Sequence, residues 1–157
     1  MKKNSGLFSL AALLILCATL AAFLFPLGAG LARTDGSEAY QGYNFVFSND
    51  AQGVYSPNGG MIAAFVLLVI AAVFQMTGFV FSFGQGGRKF AAFMEILAGL
   101  CVVACAVIFF LGHVIIGDFL GSAAPMKLGW GFIAAGASSA VSAILSLVSG
   151  VLVFKEK

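Results

Sequence analysis

Charge is what this sequence has least of. Only 9% of its 157 residues are charged, eight Lys or Arg against six Asp or Glu, where a soluble domain carries about 25%. So few charges cannot cover a water-exposed surface, so most of the chain is expected to lie in an apolar medium. The net charge of +2 leaves no basic footprint for nucleic acid, and no nucleic-acid partner is expected. Histidine occurs once, at His113, with no partner at ligand spacing, so no metal site is expected. The three cysteines, Cys17, Cys101 and Cys105, all sit in apolar runs and form no CxxC, which argues against a disulfide framework. Cys101 and Cys105 share one helix face and read as small packing residues. Gly84–Lys89, GQGGRK, lacks both the spacing and the strand-to-helix setting of a phosphate loop. No Ser/His/Asp set or carboxylate pair can be assembled within the apolar runs. Neither a cofactor nor catalysis is expected.

Long apolar runs are what is there. A helix crossing a bilayer needs about 20 mostly apolar residues, and four stretches qualify: 7–31, 61–83, 90–116 and 128–154. The expected fold is all-α and integral to the membrane. Residues 1–157 form a single membrane domain, an antiparallel bundle of four transmembrane helices, with a sizeable extracellular loop at 32–60. The first run has a rival reading as a secretory signal, because Lys2 and Lys3 precede it and Gly30-Leu31-Ala32 resembles a cleavage site. Signal h-regions span about 7–15 residues, and the run from Leu7 to Phe25 is longer, so an uncleaved helix is expected. A lipoprotein signal at Leu14-Ile15-Leu16-Cys17 is disfavoured by Leu16, where a small residue belongs.

Basic residues set the expected orientation. Lys2, Lys3, Arg88, Lys89, Lys155 and Lys157 fall at the two termini and the second connection, and Arg33 and Lys127 in the other two. Six against two places both termini in the cytoplasm, at the cell membrane. The turn 84–88, rich in glycine, makes the second and third helices antiparallel neighbours.

The segment YQGYNFVFSND, 40–50, brings aromatic rings into a connection. Tyr43, Phe45 and Phe47 alternate with Asn44, Val46 and Ser48, a period of two that predicts a strand. Turn formers at Asn49–Gly53 would let Val54-Tyr55-Ser56 pair back as a small extracellular β-hairpin. Such a hairpin is marginal alone, so its aromatic face is expected to rest on the helix ends or in the headgroups. Its other face makes Tyr40, Tyr43, Phe45, Phe47 and Tyr55 a candidate partner surface. YQGYNFVFS after a first membrane helix resembles a segment of small, uncharacterised four-helix membrane proteins of Gram-positive bacteria. The layout also resembles the claudin-like tetraspan proteins, but their Trp, Gly-Leu-Trp and cysteine pair are absent from 32–60.

Glu95 is the acid inside an apolar run. Intramembrane carboxylates are costly and mark functional sites unless paired or hydrated. With Arg88 seven residues earlier, one expectation is an acid that reaches the interface or bridges to Arg88 or Lys89. The other is a proton- or cation-binding group, with Gln75 and Thr77 as polar companions. His113, near a helix end, is expected to meet Asp118 or water. On the fourth helix, Ser138, Ser142, Ser146 and Gly150 recur every four residues, with Ala135, Ser139 and Ala143 alongside. Small residues at this spacing form helix-packing faces in lipid, here within one bundle or between copies. The preferred functional expectation is a non-catalytic structural, accessory or assembly subunit. Its partners are the lipid bilayer and a second copy or another membrane protein, met through the loop and the fourth helix. The alternative is an oligomeric small transporter or channel using Glu95.

Overall fold

Each apolar run folds as a helix long enough to cross a bilayer. In the computed structural model, which describes residues 2–24, 29–33, 39–47, 57–83, 87–117 and 126–155, these are α1 (Lys2–Leu24), α3 (Gly59–Ser82), α4 (Arg88–Phe110) and α6 (Trp130–Lys155). Their lengths of 23, 24, 23 and 26 residues correspond to about 35–39 Å at 1.5 Å per residue, against a hydrocarbon core of about 30 Å. All four have the length and hydropathy of membrane spans. The smaller elements are β1 (Ala29–Arg33), β2 (Ala39–Gln41), α2 (Asn44–Phe47), α5 (Gly112–Gly117) and β3 (Met126–Leu128).

The helices form a ring in which α1 packs on α3 and α6, and α4 packs on α3 and α6. Every helix turns a seam inward whose positions step alternately by three and four residues. On α1 it is Ser5, Ser9, Ala12, Leu16, Thr19 and Phe23. On α3 it is Met61, Ala64, Leu68, Ala71, Gln75 and Gly78. On α4 it is Ala91, Glu95, Ala98, Val102, Cys105 and Phe109, and on α6 the run from Phe132 through Ser139, Ser142, Ser146 and Ser149 to Val153. A seven-residue repeat of this kind keeps one stripe of a helix facing its partners along its whole length. The opposite faces carry the large side chains. Val66, Val73, Met76 and Val80 on α3, and Val141, Ile144, Val148 and Val151 on α6, are exposed. An exposed apolar belt of that extent fits lipid and not water.

Two glycines set the closest approaches. A Cβ on Gly78 would stand 2.6 Å from Glu95 Cγ and 3.2 Å from the Ala91 carbonyl oxygen. One on Gly150 would stand 2.8 Å from Ile96 Cγ1 and 3.1 Å from the Ala92 carbonyl oxygen. Helix backbones pack here with no room for a side chain between them.

One end of the bundle carries a three-stranded antiparallel sheet, ordered β2-β1-β3. Leu31 pairs with Tyr40 on one side and Leu128 on the other, with a bulge between Ala29 and Leu31. The hairpin expected over Tyr43–Ser48 is not supported. Asn44–Phe47 is a helical turn instead, with Val46 N–H donating to the Tyr43 carbonyl at 3.0 Å. A strand would put Phe45 and Phe47 on one face, whereas the turn buries the adjacent Phe45 and Val46 and leaves Phe47 57% exposed. Val54–Ser56, the expected return strand, lies outside the described residues, as does 84–86 of the glycine-rich turn.

Helix bounds also shift. The expected first span, 7–31, stops at Leu24, and Ala29–Leu31 belong to β1; Pro26 between them lacks the N–H that a continuing helix needs. The third, 90–116, breaks at Leu111 into α4 and α5. There the backbone of Gly112 lies against the Phe132 ring, 2.8 Å from where a Cβ would be. Asn58 caps α3, its Oδ1 accepting from the N–H groups of Gly60 at 2.9 Å and Met61 at 3.2 Å.

Gly150→Leu is expected to force α4 and α6 apart and to cost about 1–3 kcal/mol, the usual range for overpacking. Val151→Leu, on the exposed face, is expected to stay within about 0.5 kcal/mol. Unfolding midpoints of the two variants in mixed micelles measure the difference.

Candidate functional site

Polar side chains on the inner seams pair across the bundle in successive layers. Nearest the chain termini, the Ser149 hydroxyl on α6 donates to the Ser5 carbonyl on α1 at 3.0 Å. In the next layer Gln75 on α3 joins two helices. Its amide nitrogen donates to Ser9 Oγ at 3.1 Å and to the Ser9 carbonyl at 3.3 Å, and its oxygen accepts from Ser146 Oγ at 2.7 Å. Ser142 then donates to the Ala12 carbonyl at 2.9 Å. Beyond it the Thr19 hydroxyl donates to Ser138 Oγ at 2.7 Å. Past Thr19 the core changes character. Phe23, Phe109 and Phe132 pack ring on ring, with centroids 5.3 and 5.8 Å apart, and Phe45 and Met61 are buried beside them in one apolar cluster beneath the sheet.

Glu95 enters the polar half from α4. It is 0% exposed, and seven residues along the helix from Arg88 place it about 10 Å inward from that end. Its stem packs over Gly78 of α3. The Ser9 and Ser149 hydroxyls stand beside the carboxylate, yet among the described residues neither carboxylate oxygen has a partner in hydrogen-bond geometry. Ser149 gives its proton to the Ser5 carbonyl, whereas Ser9 accepts from Gln75 and keeps its own proton. All four long helices therefore contribute polar groups to one layer, with a carboxylate as its only acid among the described residues. Desolvation opposes a bare charge at such a depth.

The two residues singled out with Glu95 differ in placement. Gln75 is fully buried and is linked to the Glu95 layer through Ser9. Arg88 is half-buried at the start of α4, and its Nε has no partner among the described residues. No ion pair joins it to Glu95 there. Thr77 donates to the Val73 carbonyl of its own helix at 2.7 Å and stays out of the network. His113 is exposed on α5, and Asp118 lies outside the described residues.

The proposed contact surfaces are largely turned inward. Ser142, Ser146 and Gly150 are buried against α1, α3 and α4, and Ser138 is half-buried. A row of every fourth residue drifts about 40° per step around a helix. The inner seam instead follows the three-four alternation through Ser139 and Ser149. In the connection, Phe45 is buried, Tyr43 is half-buried and Phe47 is exposed. Tyr40 lies on β2, and Tyr55 is outside the described residues.

Sequence reasoning passed over Ser5, Ser9 and Ser149. Their signal was present as polar or small residues at seven-residue repeats within otherwise apolar helices. No family model, no curated protein and no solved structure matches the chain.

Gln75→Leu leaves Ser9 and Ser146 without their shared partner and is expected to destabilise the bundle by about 1–2 kcal/mol, near the upper range for polar contacts in lipid. Thr77→Val, whose bond is local to its helix, is expected to cost much less. Denaturant titration of both variants in the same micelles tests the ranking.

Proposed function

We propose that this chain is a small multi-pass membrane protein in which Glu95 binds and releases a proton or small cation, as one copy of an oligomeric transporter or channel. A single observation carries the reading: the carboxylate is fully buried, without a hydrogen-bond partner among the described residues, in a layer that receives polar groups from α1, α3 and α6. A purely structural acid would be paired or would reach water, because an unpaired buried charge is among the costliest features a fold can hold. Four helices per copy are few for a transport path, so the working unit contains several copies. No catalysis is proposed.

The second reading is a structural, accessory or assembly subunit acting through protein contacts. It is favoured by Phe47 and Trp130, large rings left 57% and 60% exposed. The fourth-helix face that this reading first relied on packs within the bundle.

The basic residues give the proposed orientation. Lys155 and Lys89 are exposed at the end that carries the termini, and with Lys2, Lys3, Arg88 and Lys157 they support an orientation with that end in the cytoplasm and the sheet outside the cell membrane. A fluorescent reporter that matures only in the cytoplasm, fused after Lys157, is expected to light up. A signal only from a reporter restricted to the exterior would invert the topology.

Purified protein in liposomes is expected to dissipate an imposed proton or cation gradient, and Glu95→Gln, which keeps the shape and removes the charge, is expected to slow that flux at least tenfold. No flux from the wild-type protein under either gradient would overturn the reading.

A further inference from the structure

We infer that the species Glu95 exchanges is a proton and not a metal ion, an inference that rests on the reading above and narrows it. The ground is hydrogen-bond accounting around the carboxylate. Hard metal cations need a shell of oxygens: six to eight for calcium and six, several of them waters, for magnesium. The neutral oxygens around Glu95 are largely committed elsewhere. Gln75 Oε1 accepts from Ser146, and the Ser5 carbonyl accepts from Ser149. Gln75 also turns its amide nitrogen, a donor, toward Ser9, so that Ser9 Oγ is itself occupied as an acceptor. What remains for a ligand is the two carboxylate oxygens and a lone pair on each of the Ser9 and Ser149 hydroxyls, fewer oxygens than either shell needs. A proton needs one of them.

Among the described residues no competing charge stands in the site. From α1 the neighbours are Ser5 and Ser9; from α3, Gln75 and Gly78; from α6, Ser146 and Ser149. On α4 itself Arg88 is half-buried toward the helix start, and Lys89 is exposed. A protonated Glu95 gains a hydroxyl donor, and the Ser9 and Ser149 oxygens standing beside it are acceptors within its layer. Proton uptake from water therefore turns an unpaired anion into a neutral group that the layer can hold.

Infrared spectra of the full-length protein in lipid vesicles read this directly through the carbonyl stretch of a neutral carboxyl group. The expected result is a band that disappears as pH is raised, is lost in Glu95→Gln and is retained, shifted in frequency, in Glu95→Asp. Its midpoint is expected to be the same in sodium and potassium, and with calcium added at fixed ionic strength. A midpoint that falls with each tenfold rise in one of those cations would show competition for the carboxylate and overturn the proton assignment. Cation flux in the liposome assay would then still support the broader transport reading. Absence of the band at every pH at which the protein stays folded would also overturn the assignment, whereas a titrating band without any flux would sink the transport reading and leave the proton site standing.

Discussion

Between helices in lipid, an apolar side chain gains little by facing another helix, because the acyl chains outside are as apolar as the core. Association then depends on close packing and on polar groups that have nowhere else to bond. This constraint accounts for the distribution of residues in the bundle. Toward the termini, small and polar side chains hold most of the inner seams, while many valines, isoleucines and phenylalanines lie outside. Gly78 and Gly150 bring backbones together, and serines of α6 bond to carbonyls of α1 across the gap. Those carbonyls already serve their own helix, and a second lone pair accepts the serine proton.

The same constraint explains why Glu95 stands out. Gln75 uses both its donor and acceptor capacity across the bundle, and the serines around it each find a bond. The layer is thus nearly satisfied without the carboxylate. Fully satisfied polar networks make a bundle rigid, and a half-satisfied member is costly. An acid left over in such a layer is poorly explained as glue, since α4 already packs tightly on α3 and α6 through glycines and alanines. On the proposed reading it is a group whose bonding changes with what it binds.

Much of the fold was legible because the bilayer imposes length and hydropathy on a span. All four spans could be placed, with their ends off by several residues where β1, β3 and α5 intervene. The connection was less legible. Tyr43–Phe47 alternates by eye, but what decides its conformation is the floor beneath it. Gly42 rests on the Phe23 and Phe132 rings, and the Asn58 N–H donates to the Phe45 carbonyl at 2.7 Å. Those contacts come from residues far away in the chain, so a local pattern cannot anticipate them. Glu95 and Gln75 could be found as polar residues in apolar runs. Ser9 and Ser149 could not be ranked above other serines until the seams were seen to follow the seven-residue repeat. In an all-apolar helix the usual guide, large residues inward, points the wrong way.

The bundle is also polarised along its axis, and this bears on how a core acid could work. From Thr19 toward the termini, each layer holds a hydroxyl or amide. From Phe23 toward the sheet, the core is mainly rings and aliphatic chains, closed over by Phe45 and Met61, with Asn44 and Asn58 the buried polar side chains among the described residues there. Phenylalanine offers no lone pair to pass a proton along, and a well-packed apolar core excludes water. Exchange between Glu95 and water is therefore easiest toward the termini, where Ser5 and Ser149 lie on its path and the distance to the helix start is about 10 Å. A path through the other half requires the Phe23, Phe109 and Phe132 rings to part, or a route between copies. The packing at the sheet end thus favours access from one side, and on the proposed reading transfer across the membrane needs either that aromatic cluster to part or a path between copies.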